Sequence, residues 1–317
     1  MPELTSARPQ AVSRSVKRRR ISRLIKNRWL YIMAIPGMIY FLIFKYIPMW
    51  GLLIAFQDYQ PTLGLLQSKW VGLRHFERFF FDSSFLLLFK NTFLLAVYHL
   101  LFFFPLPIVL ALLLNEVRKE LFKRTIQTIV YIPHFVSWVV VAGITYIFFT
   151  TEGGIVNEAL AALGFEKVNF LISNEWFRTI IVSQAIWKDT GWGTIIFLAA
   201  LAGVDRQLYE AATIDGAGRF RQVWHITLPA MRSVIVVLLI LRLGDFLDTG
   251  FEQIFLMLNA MNSEVGEVFD TYVYKTGILR GQFSYSTAVG LFKSIVGFVL
   301  VVGANRLAKN FGESGLY

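Results

Sequence analysis

Residues 210–229 read EAATIDGAGRFRQVWHITLP and are the most informative segment of the chain. It is a largely polar segment that lies between two long apolar segments. A polar connector of this length, with helical signals of its own, indicates a docking surface at one face of a membrane and not a simple turn. Its distinctive positions are the three opening residues, one glycine and three of the last four residues: Glu210, Ala211, Ala212, Gly216, Ile226, Leu228 and Pro229.

The first half of the stretch predicts a short helix. Asp205 is a suitable N-cap, because its side chain can accept hydrogen bonds from the first free backbone N–H groups. Leu208, Ala211 and Ala212 share one face at helical spacing. Gly216 is a typical C-terminal stop. The small residues on this face would let another backbone approach closely.

The second half predicts another short amphipathic helix. Phe220, Val223, Trp224 and Thr227 recur at the spacing of one helical face. Pro229 then suits the first turn of the next membrane helix, where its missing N–H leaves no bond unmade.

The spacing of these positions resembles the membrane subunits of binding-protein-dependent ABC importers. In that family the cytoplasmic EAA loop inserts a helix into a groove of the ATP-binding subunit. The resemblance implies that residues 202–230 form the coupling loop, and that the seven distinctive positions contact the ATPase.

A wider resemblance, over most of residues 28–317, points to the permeases of carbohydrate importers that handle oligosaccharides. It rests on four weaker features: a basic N-terminal tail, a first helix with Pro36-Gly37 and a Lys-Tyr-Ile-Pro run ending at Pro48, the Trp-Lys-Asp-x-Gly-Trp-Gly run at 187–193, and a C-terminal Gly-Leu-Tyr.

Composition identifies an integral membrane protein. Of the 317 residues, 56% are hydrophobic and only 16% are charged, against about 25% charged in soluble proteins. A crossing needs about 20 apolar residues. We therefore predict an all-α membrane protein with six transmembrane helices, a type I ABC importer permease fold and a cytoplasmic coupling-helix loop. The predicted crossings are 29–56, 85–114, 127–149, 177–201, 229–250 and 287–302, which divide the chain into a basic tail at 1–28 and a permease domain at 29–317.

The distribution of Lys and Arg predicts the orientation. Nineteen lie in the N-terminal tail, the 115–127 and 202–232 loops and the C-terminal tail, whereas six lie in the opposite loops. Because basic loops stay cytoplasmic, we expect both termini and the coupling loop in the cytoplasm of a bacterial cell. The net charge of +10 is explained by topology and anionic lipid, and does not indicate nucleic-acid binding.

The sequence lacks the motifs of an ATPase or another enzyme. It has no Gly-Lys dipeptide and hence no phosphate-binding P-loop, no zinc-protease motif and no nucleophile elbow. Four scattered histidines and no cysteine give no pattern of a metal or disulfide site. We expect no cofactor and no catalytic residue, and ATP hydrolysis in separate subunits.

Charged residues inside the predicted crossings are functional candidates, because burying them in a bilayer is costly. Lys188 and Asp189 fall in the fourth crossing, and Lys293 in the sixth. In the fifth, Arg242, Asp245 and Asp248 recur every three residues. Two interpretations stay open: these groups line a water-filled path, or Lys188 or Asp189 pairs with Asp245 or Arg242 to make burial tolerable.

The glycines on either side of Trp192 favour a pathway, since they should weaken the helix and free backbone groups. Similar permeases place sugar contacts in this part of the helix. Aromatic rings at 187, 192 and 251 could stack on a sugar. Lys188, Arg242 and Lys293 leave an anionic sugar open, although the carboxylates nearby could neutralise them. The substrate-pathway candidates are Lys188, Asp189, Trp192, Asp245, Asp248 and Gly250.

The resemblance implies several partners: a second, similar permease, two ATP-binding subunits and an extracytoplasmic sugar-binding protein, in addition to membrane lipid. Segments 152–157 and 259–267 are the candidates for contact with the binding protein. Two alternatives remain at this stage. One is a secondary transporter driven by an ion gradient through the charged groups, and the other is an ABC permease for a non-sugar solute.

Overall fold

The computed structural model describes residues 27–312 and residue 315. The predicted basic tail, up to residue 26, lies outside the described residues. The described residues form two compact units, which divide between Leu53 and Ile54. The described part is helical apart from one antiparallel pairing of β1 (Gln57–Asp58) with β2 (Lys69–Trp70).

The α-helices are numbered in chain order. They are α1 (Arg28–Phe41), α2 (Gly64–Gln67), α3 (Arg74–Phe81), α4 (Ser84–Tyr98), α5 (Pro105–Glu116), α6 (Glu120–Tyr131), α7 (Trp138–Phe149), α8 (Ile155–Ala162), α9 (Asn174–Ala202), α10 (Arg206–Ile214), α11 (Arg219–Gln222), α12 (Leu228–Gly244), α13 (Phe251–Met257), α14 (Ser263–Gly266), α15 (Phe269–Val273) and α16 (Phe283–Asn310).

Wide helical turns precede prolines at three places. The π-helical turns Leu42–Tyr46, His99–Phe103 and Val223–Thr227 each end two residues before a proline. A proline lacks the N–H that would bond four residues back, and its ring clashes with that carbonyl. Widening the preceding turn relieves the clash. In this way the helical chain continues past Pro105.

The π-helical turn before Pro229 shows that the predicted end of the coupling loop was wrong. We predicted a separate second helix before Pro229, but Arg219–Gly244 is one continuous helical span. The π-turn at Val223–Thr227 joins α11 to α12 within it. The coupling segment therefore runs directly into a membrane helix without a flexible joint.

Four described spans are long and apolar enough to cross a membrane: Arg28–Phe56, Ser84–Glu116, Arg219–Gly244 and Phe283–Asn310. A fifth is obtained if the bent pair Glu120–Phe135 and Trp138–Phe149 counts as one. The chain is thus a helical protein with several potential membrane spans, and the number six stays a prediction. Helix α9, which matches the predicted crossing at 177–201, has 29 residues and is as long as these spans, but it has a polar centre.

The predicted crossing at 127–149 is not one straight helix. Its two parts meet at an angle of 102°. Pro133 lies in the 3₁₀ turn Ile132–Phe135 that ends the first part, and Val136 is extended. The hydroxyl of Ser137 then caps α7 by accepting from the N–H of Val140, at 3.4 Å. Proline geometry and the new cap together explain the break.

Helix α9 is continuous, which corrects the predicted weakening at Gly191 and Gly193. Both glycines serve close packing instead. A Cβ at Gly191 would overlap the carbonyl oxygen of Val130 in α6, and one at Gly193 would lie 3.0 Å from Pro107 Cγ in α5. The lack of side chains thus lets two neighbouring helices approach the α9 backbone.

Helix α12 ends earlier than predicted. It stops at Gly244, so Asp245 and Asp248 do not continue one helical face. The backbone is unwound up to Gly250, which has φ of 85° and precedes α13. This left-handed conformation is readily adopted by glycine. The result is a non-helical segment that carries both carboxylates.

The aromatic helix α3 is partly buried. It is amphipathic, since Phe81 is 90% exposed whereas Phe79 is completely buried. The Phe79 ring makes edge contacts with Phe269 and Phe292. Helix α3 is therefore anchored in the core through one of its phenylalanines.

Candidate functional site

The coupling helix α10 forms as the sequence predicts. The carboxylate of Asp205 accepts a hydrogen bond from the N–H of Gln207 at 2.9 Å. At the other end Gly216 has φ of 76°, and the N–H of Ala217 donates to the carbonyl of Ala212 at 2.8 Å. This is the bonding of a glycine-terminated helix end.

Hydrogen bonds tie this helix to the membrane span that follows it. The hydroxyls of Tyr209 and Thr227 lie 3.1 Å apart. The amide of Gln222 donates to Thr213 Oγ1 and to the carbonyl of Ala217, both at 3.0 Å. Arg219 also pairs with Glu116, at the end of α5, at 3.4 Å. A displacement of α10 would therefore act on both spans.

The predicted coupling residues fall into two groups. In the first group, Glu210, Ala211 and Gly216 are exposed and Ala212 is half-buried. Helix α10 and the glycine that ends it therefore form an accessible surface. Ile214 and Phe220 are exposed by 86% and 81% and make that surface apolar. Ile226 and Leu228 are half-buried and Pro229 is exposed, within the continuous span.

Lys188 holds the bend between α6 and α7. Its ammonium donates to the carbonyl oxygens of His134 and Val136 at 2.5 and 2.6 Å, and lies 5.4 Å from the centroid of Trp138. The residue is only 7% exposed. The carbonyls left free by the helix break are thus paired with a buried cation. The predicted pairing of Lys188 with Asp245 is not formed.

Asp189 and Trp192 of α9 both contact His134 in the same bend. The Asp189 carboxylate lies 2.8 Å from Nδ1 of His134. The His134 imidazole stacks on the Trp192 indole, with centroids 4.4 Å apart and planes 4° from parallel. Asp189 therefore does not pair with Arg242, and the alternative pairings predicted from the sequence are wrong.

A polar cavity of about 330 Å³ lies beside this bend. Asp189 and Gly250 line it together with Arg242, Asp245 and Asp248. Thus the unwound segment after α12 faces the centre of α9, as a shared pathway requires. Trp192 lies outside this lining.

Lys293 interacts with two carboxylates. Its ammonium forms a very short contact with Asp270 in α15 and lies 3.7 Å from Asp248. Both Lys293 and Asp270 are mostly buried, at 19% side-chain exposure. The pair connects α15 to the centre of α16 and supports the unwound segment through Asp248.

Buried amides form a second polar network next to the cavity. The Gln253 amide donates to the Ile181 carbonyl at 2.7 Å and to Gln184 Oε1 at 2.9 Å. Gln184 in turn donates to Thr145 Oγ1 at 2.7 Å. This chain links α13, α9 and α7, and fixes Gln253 at the cavity wall.

Sequence reasoning did not find His134, Thr249, Gln253 or Asp270. His134 follows Pro133, and a polar residue beside a proline within an apolar run is a signal that could have marked the break. Thr249 and Gln253 flank Gly250, so a prediction of unwinding there would have included them. Asp270 lies outside every predicted crossing and carried no such signal.

The outer segment at 152–157 is held by a local ion cluster. The Lys167 ammonium donates to Glu152 at 2.9 Å and to Glu158 at 3.0 Å. Hydrogen bonding from Lys167 lowers the pKa of the Glu158 carboxyl, and the bonds to Glu152 and Glu158 raise the pKa of Lys167. Asn157 is completely buried and bonds to backbone groups. Its role is structural, so only the exposed end of this segment is accessible.

Within the described residues, no three His, Cys, Asp or Glu side chains are arranged to hold a metal ion. The site therefore consists of a charged cavity, a hydrogen-bonded helix bend and an exposed apolar surface at the predicted coupling helix.

Comparisons with known proteins agree on one family. The family model described as "binding-protein-dependent transport system inner membrane component" matches residues 103–312. The polygalacturonan/rhamnogalacturonan transport system permease protein YteP of Bacillus subtilis is 60% identical, over 95% of this chain and 94% of that protein. Protein LplB of the same organism is 58% identical, over 94% and 93% of the two chains.

A solved structure is similar in both fold and sequence. It is a chain from the crystal structure of a bacterial alginate ABC transporter in complex with an alginate pentasaccharide-bound periplasmic protein. The TM-score is 0.85 at 39% identity, and the match covers 93% of this chain and 99% of that chain.

Proposed function

Because the chain belongs to the family of binding-protein-dependent transport system inner membrane components, we propose that it forms half of the translocation pathway of an ATP-driven importer for an oligosaccharide. The family relationship confirms the predicted ABC permease and its type I fold. The particular substrate, the partner subunits and the role of each residue are the content of the proposal.

One observation carries the proposal of ATP coupling. Helix α10 is capped at both ends and presents an exposed apolar surface, yet it is hydrogen-bonded to the span that contains Thr227. Arg219 of that span pairs in turn with Glu116 at the end of α5. Such a rigid, partner-accessible lever suits coupling to a separate ATPase. We propose that two ATP-binding subunits dock beneath the pair of permeases, one of them on Glu210, Ala211, Ala212 and Gly216 of this chain. Ile226, Leu228 and Pro229 would transmit their closure to the membrane helices.

The proposed topology has six crossings, with α9 as one of them. At about 1.5 Å per residue, its 29 residues extend roughly 43 Å, beyond a hydrocarbon core of about 30 Å. Its central charges are paired inside the protein, at Val136 and His134. The bent pair counts as one crossing. The excess of basic residues on one side then supports cytoplasmic termini, with the tail at 1–28 and the permease domain at 29–317.

The proposed pathway runs along the cavity between α9 and the unwound segment. Asp189, Asp245, Asp248 and Gly250 line it, while Lys188 and the Trp192 indole shape the bend beside it. A second, similar permease would supply the opposite wall. An extracytoplasmic sugar-binding protein would deliver substrate near 152–157 and 259–267, where Met261 is 66% exposed.

Oligosaccharide import is preferred over a non-sugar solute because similar proteins are named for carbohydrate transport. Carboxylates and amides suit sugar hydroxyls. Fragments of acidic polysaccharides are the first candidates to test, since polygalacturonan and alginate appear in the names of similar proteins.

The proposal is tested by reconstituting the complete importer, with the neighbouring gene products, in proteoliposomes. Uptake of a short oligogalacturonate should require binding protein and ATP, and should persist when ionophores collapse the proton and sodium gradients. ATP-independent uptake that ionophores abolish would contradict the proposal and favour an ion-coupled transporter.

A further inference from the structure

We propose that the cavity beside the helix bend is a binding site for a uronate unit, with the Arg242 guanidinium as the group that binds its carboxylate. The inference rests on the proposed function as an oligosaccharide permease. It adds the charge class of the bound sugar unit and a residue that recognises it.

The three central cations differ in how the protein uses them. Lys188 is buried and donates to two backbone carbonyls, at 2.5 and 2.6 Å. Lys293 is mostly buried and held by Asp270 and Asp248. Both are needed inside the protein, so neither is free to bind an anion from solution.

Arg242 is the remaining cation of the three and lines the cavity. In the part of the chain that the structure describes, no hydrogen bond or ion pair within 4.0 Å involves its guanidinium, although Asp189, Asp245 and Asp248 act on it electrostatically. A guanidinium presents paired N–H donors in a plane that matches a carboxylate. Arg242 is thus a cation with unused donors facing polar space.

A buried hydroxyl in the same cavity is also unused. Thr249 is only 4% exposed, and its Oγ1 has no hydrogen-bond partner among the described residues. Leaving a buried hydroxyl unpaired is costly, so such an atom in a cavity wall points to a ligand or water. Thr249 and Arg242 both line the cavity, so its wall holds an unpaired hydroxyl, itself buried, next to the guanidinium with unused donors.

The carboxylates in the wall suit the rest of a sugar. Asp245 is exposed to the cavity and can accept hydrogen bonds from sugar hydroxyls. Asp248 is partly compensated by Lys293, at 3.7 Å, and Asp189 is bonded to His134. A ligand with hydroxyls and one carboxylate per unit uses both kinds of group, whereas a neutral sugar offers no carboxylate to the unused Arg242 donors.

The test measures direct binding of a sugar ligand to the purified membrane complex of permeases and ATP-binding subunits, in the absence of the sugar-binding protein. Thermal unfolding is followed during titration with a short oligogalacturonate and, as a matched neutral probe, its methyl ester. A ligand that binds the native state raises Tm, and the increase grows with the logarithm of the ratio of ligand concentration to Kd. The proteins compared are native, Arg242→Gln, Arg242→Lys, and Arg118→Gln, which removes an exposed arginine outside the cavity.

We expect the native and Arg118→Gln complexes to prefer the acid over the ester by about tenfold or more, as expected for a charge-assisted hydrogen bond. Arg242→Gln should lose this preference, and Arg242→Lys should keep only part of it. If Arg242→Gln does not assemble, a partial loss of the preference for the acid in Arg242→Lys still tests the proposal.

An unchanged preference for the acid in both Arg242 variants would overturn the proposal. The proposal would also be overturned if the native complex bound acid and ester equally, or bound neither at millimolar concentrations. The uptake assay separates these outcomes from failure of the proposed function. An importer that takes up oligosaccharide with ATP but binds acid and ester alike at this site keeps its proposed function and refutes the uronate site.

Discussion

The imidazole of His134 stacks on the indole of Trp192, with the ring centroids 4.4 Å apart. Asp189 also bonds Nδ1 of the same imidazole. Asp189 and Trp192, both in α9, therefore fix the segment between α6 and α7. We predict that Trp192→Leu lowers the uptake rate by about two- to tenfold, since aromatic pairs contribute about 0.5–1.5 kcal/mol. Trp192→Phe should retain more of the rate. Uptake per assembled complex in proteoliposomes measures both, and equal rates for Leu and Phe would contradict a role for the stack.

Lys188 should matter for stability before it matters for substrate affinity. Removing its ammonium leaves the carbonyls of His134 and Val136 unpaired near a helix break. Each unpaired buried group costs about 1–3 kcal/mol, so we expect Lys188→Met to lower the Tm of the complex by several degrees. Lys188→Arg should lose less. A Met variant with native Tm but weakened substrate binding would show instead that Lys188 contacts the sugar.

Gly191 should tolerate no side chain. A Cβ there would overlap the backbone of Val130, so α6 and α9 would have to separate. We predict that Gly191→Ala strongly reduces the yield of assembled complex. Gly143→Ala is the matched control, since a Cβ at Gly143 meets no atom within 4 Å. Similar yields of the two variants, by size-exclusion chromatography, would refute the close-packing role.

Gly216 should be required for coupling. Its φ of 76° is strained for other residues, at a cost on the order of 1–3 kcal/mol. We expect Gly216→Val to distort the end of α10 and reduce sugar molecules imported per ATP hydrolysed, while the complex still assembles. Gly218→Val is the control, because Gly218 has an extended backbone and an open Cβ position. An unchanged transport ratio in the Gly216 variant would contradict the lever role.

Local signals predicted the coupling helix well, because its boundaries depend on neighbouring residues. Asp205 caps it and Gly216 ends it without help from the rest of the fold. The unwinding after Gly244 was missed because the sequence from Arg242 to Asp248 has acceptable helical spacing. Its conformation depends on tertiary contacts, such as that of Asp248 with Lys293.

The partners of the central charged residues likewise could not be predicted from the sequence. Lys188 bonds backbone carbonyls, which carry no residue identity and become available only because α6 and α7 meet at a sharp bend. Glycines 191 and 193 were interpreted as helix-weakening, an intrinsic propensity, whereas close packing against Val130 and Pro107 decides their role. Both errors came from treating a helix without its neighbours.

The most direct test of the account is whether α10 binds an ATPase. The chain would be expressed with its neighbouring genes, solubilised in mild detergent and purified as native protein, as Ala212→Arg, and as Ala162→Arg, which places the same charge at an exposed alanine of α8. We predict that an ATP-binding subunit copurifies with the native and Ala162→Arg proteins and is lost from Ala212→Arg. Retention by Ala212→Arg, or absence of an ATPase from all three, would contradict the assignment of this surface as the coupling site.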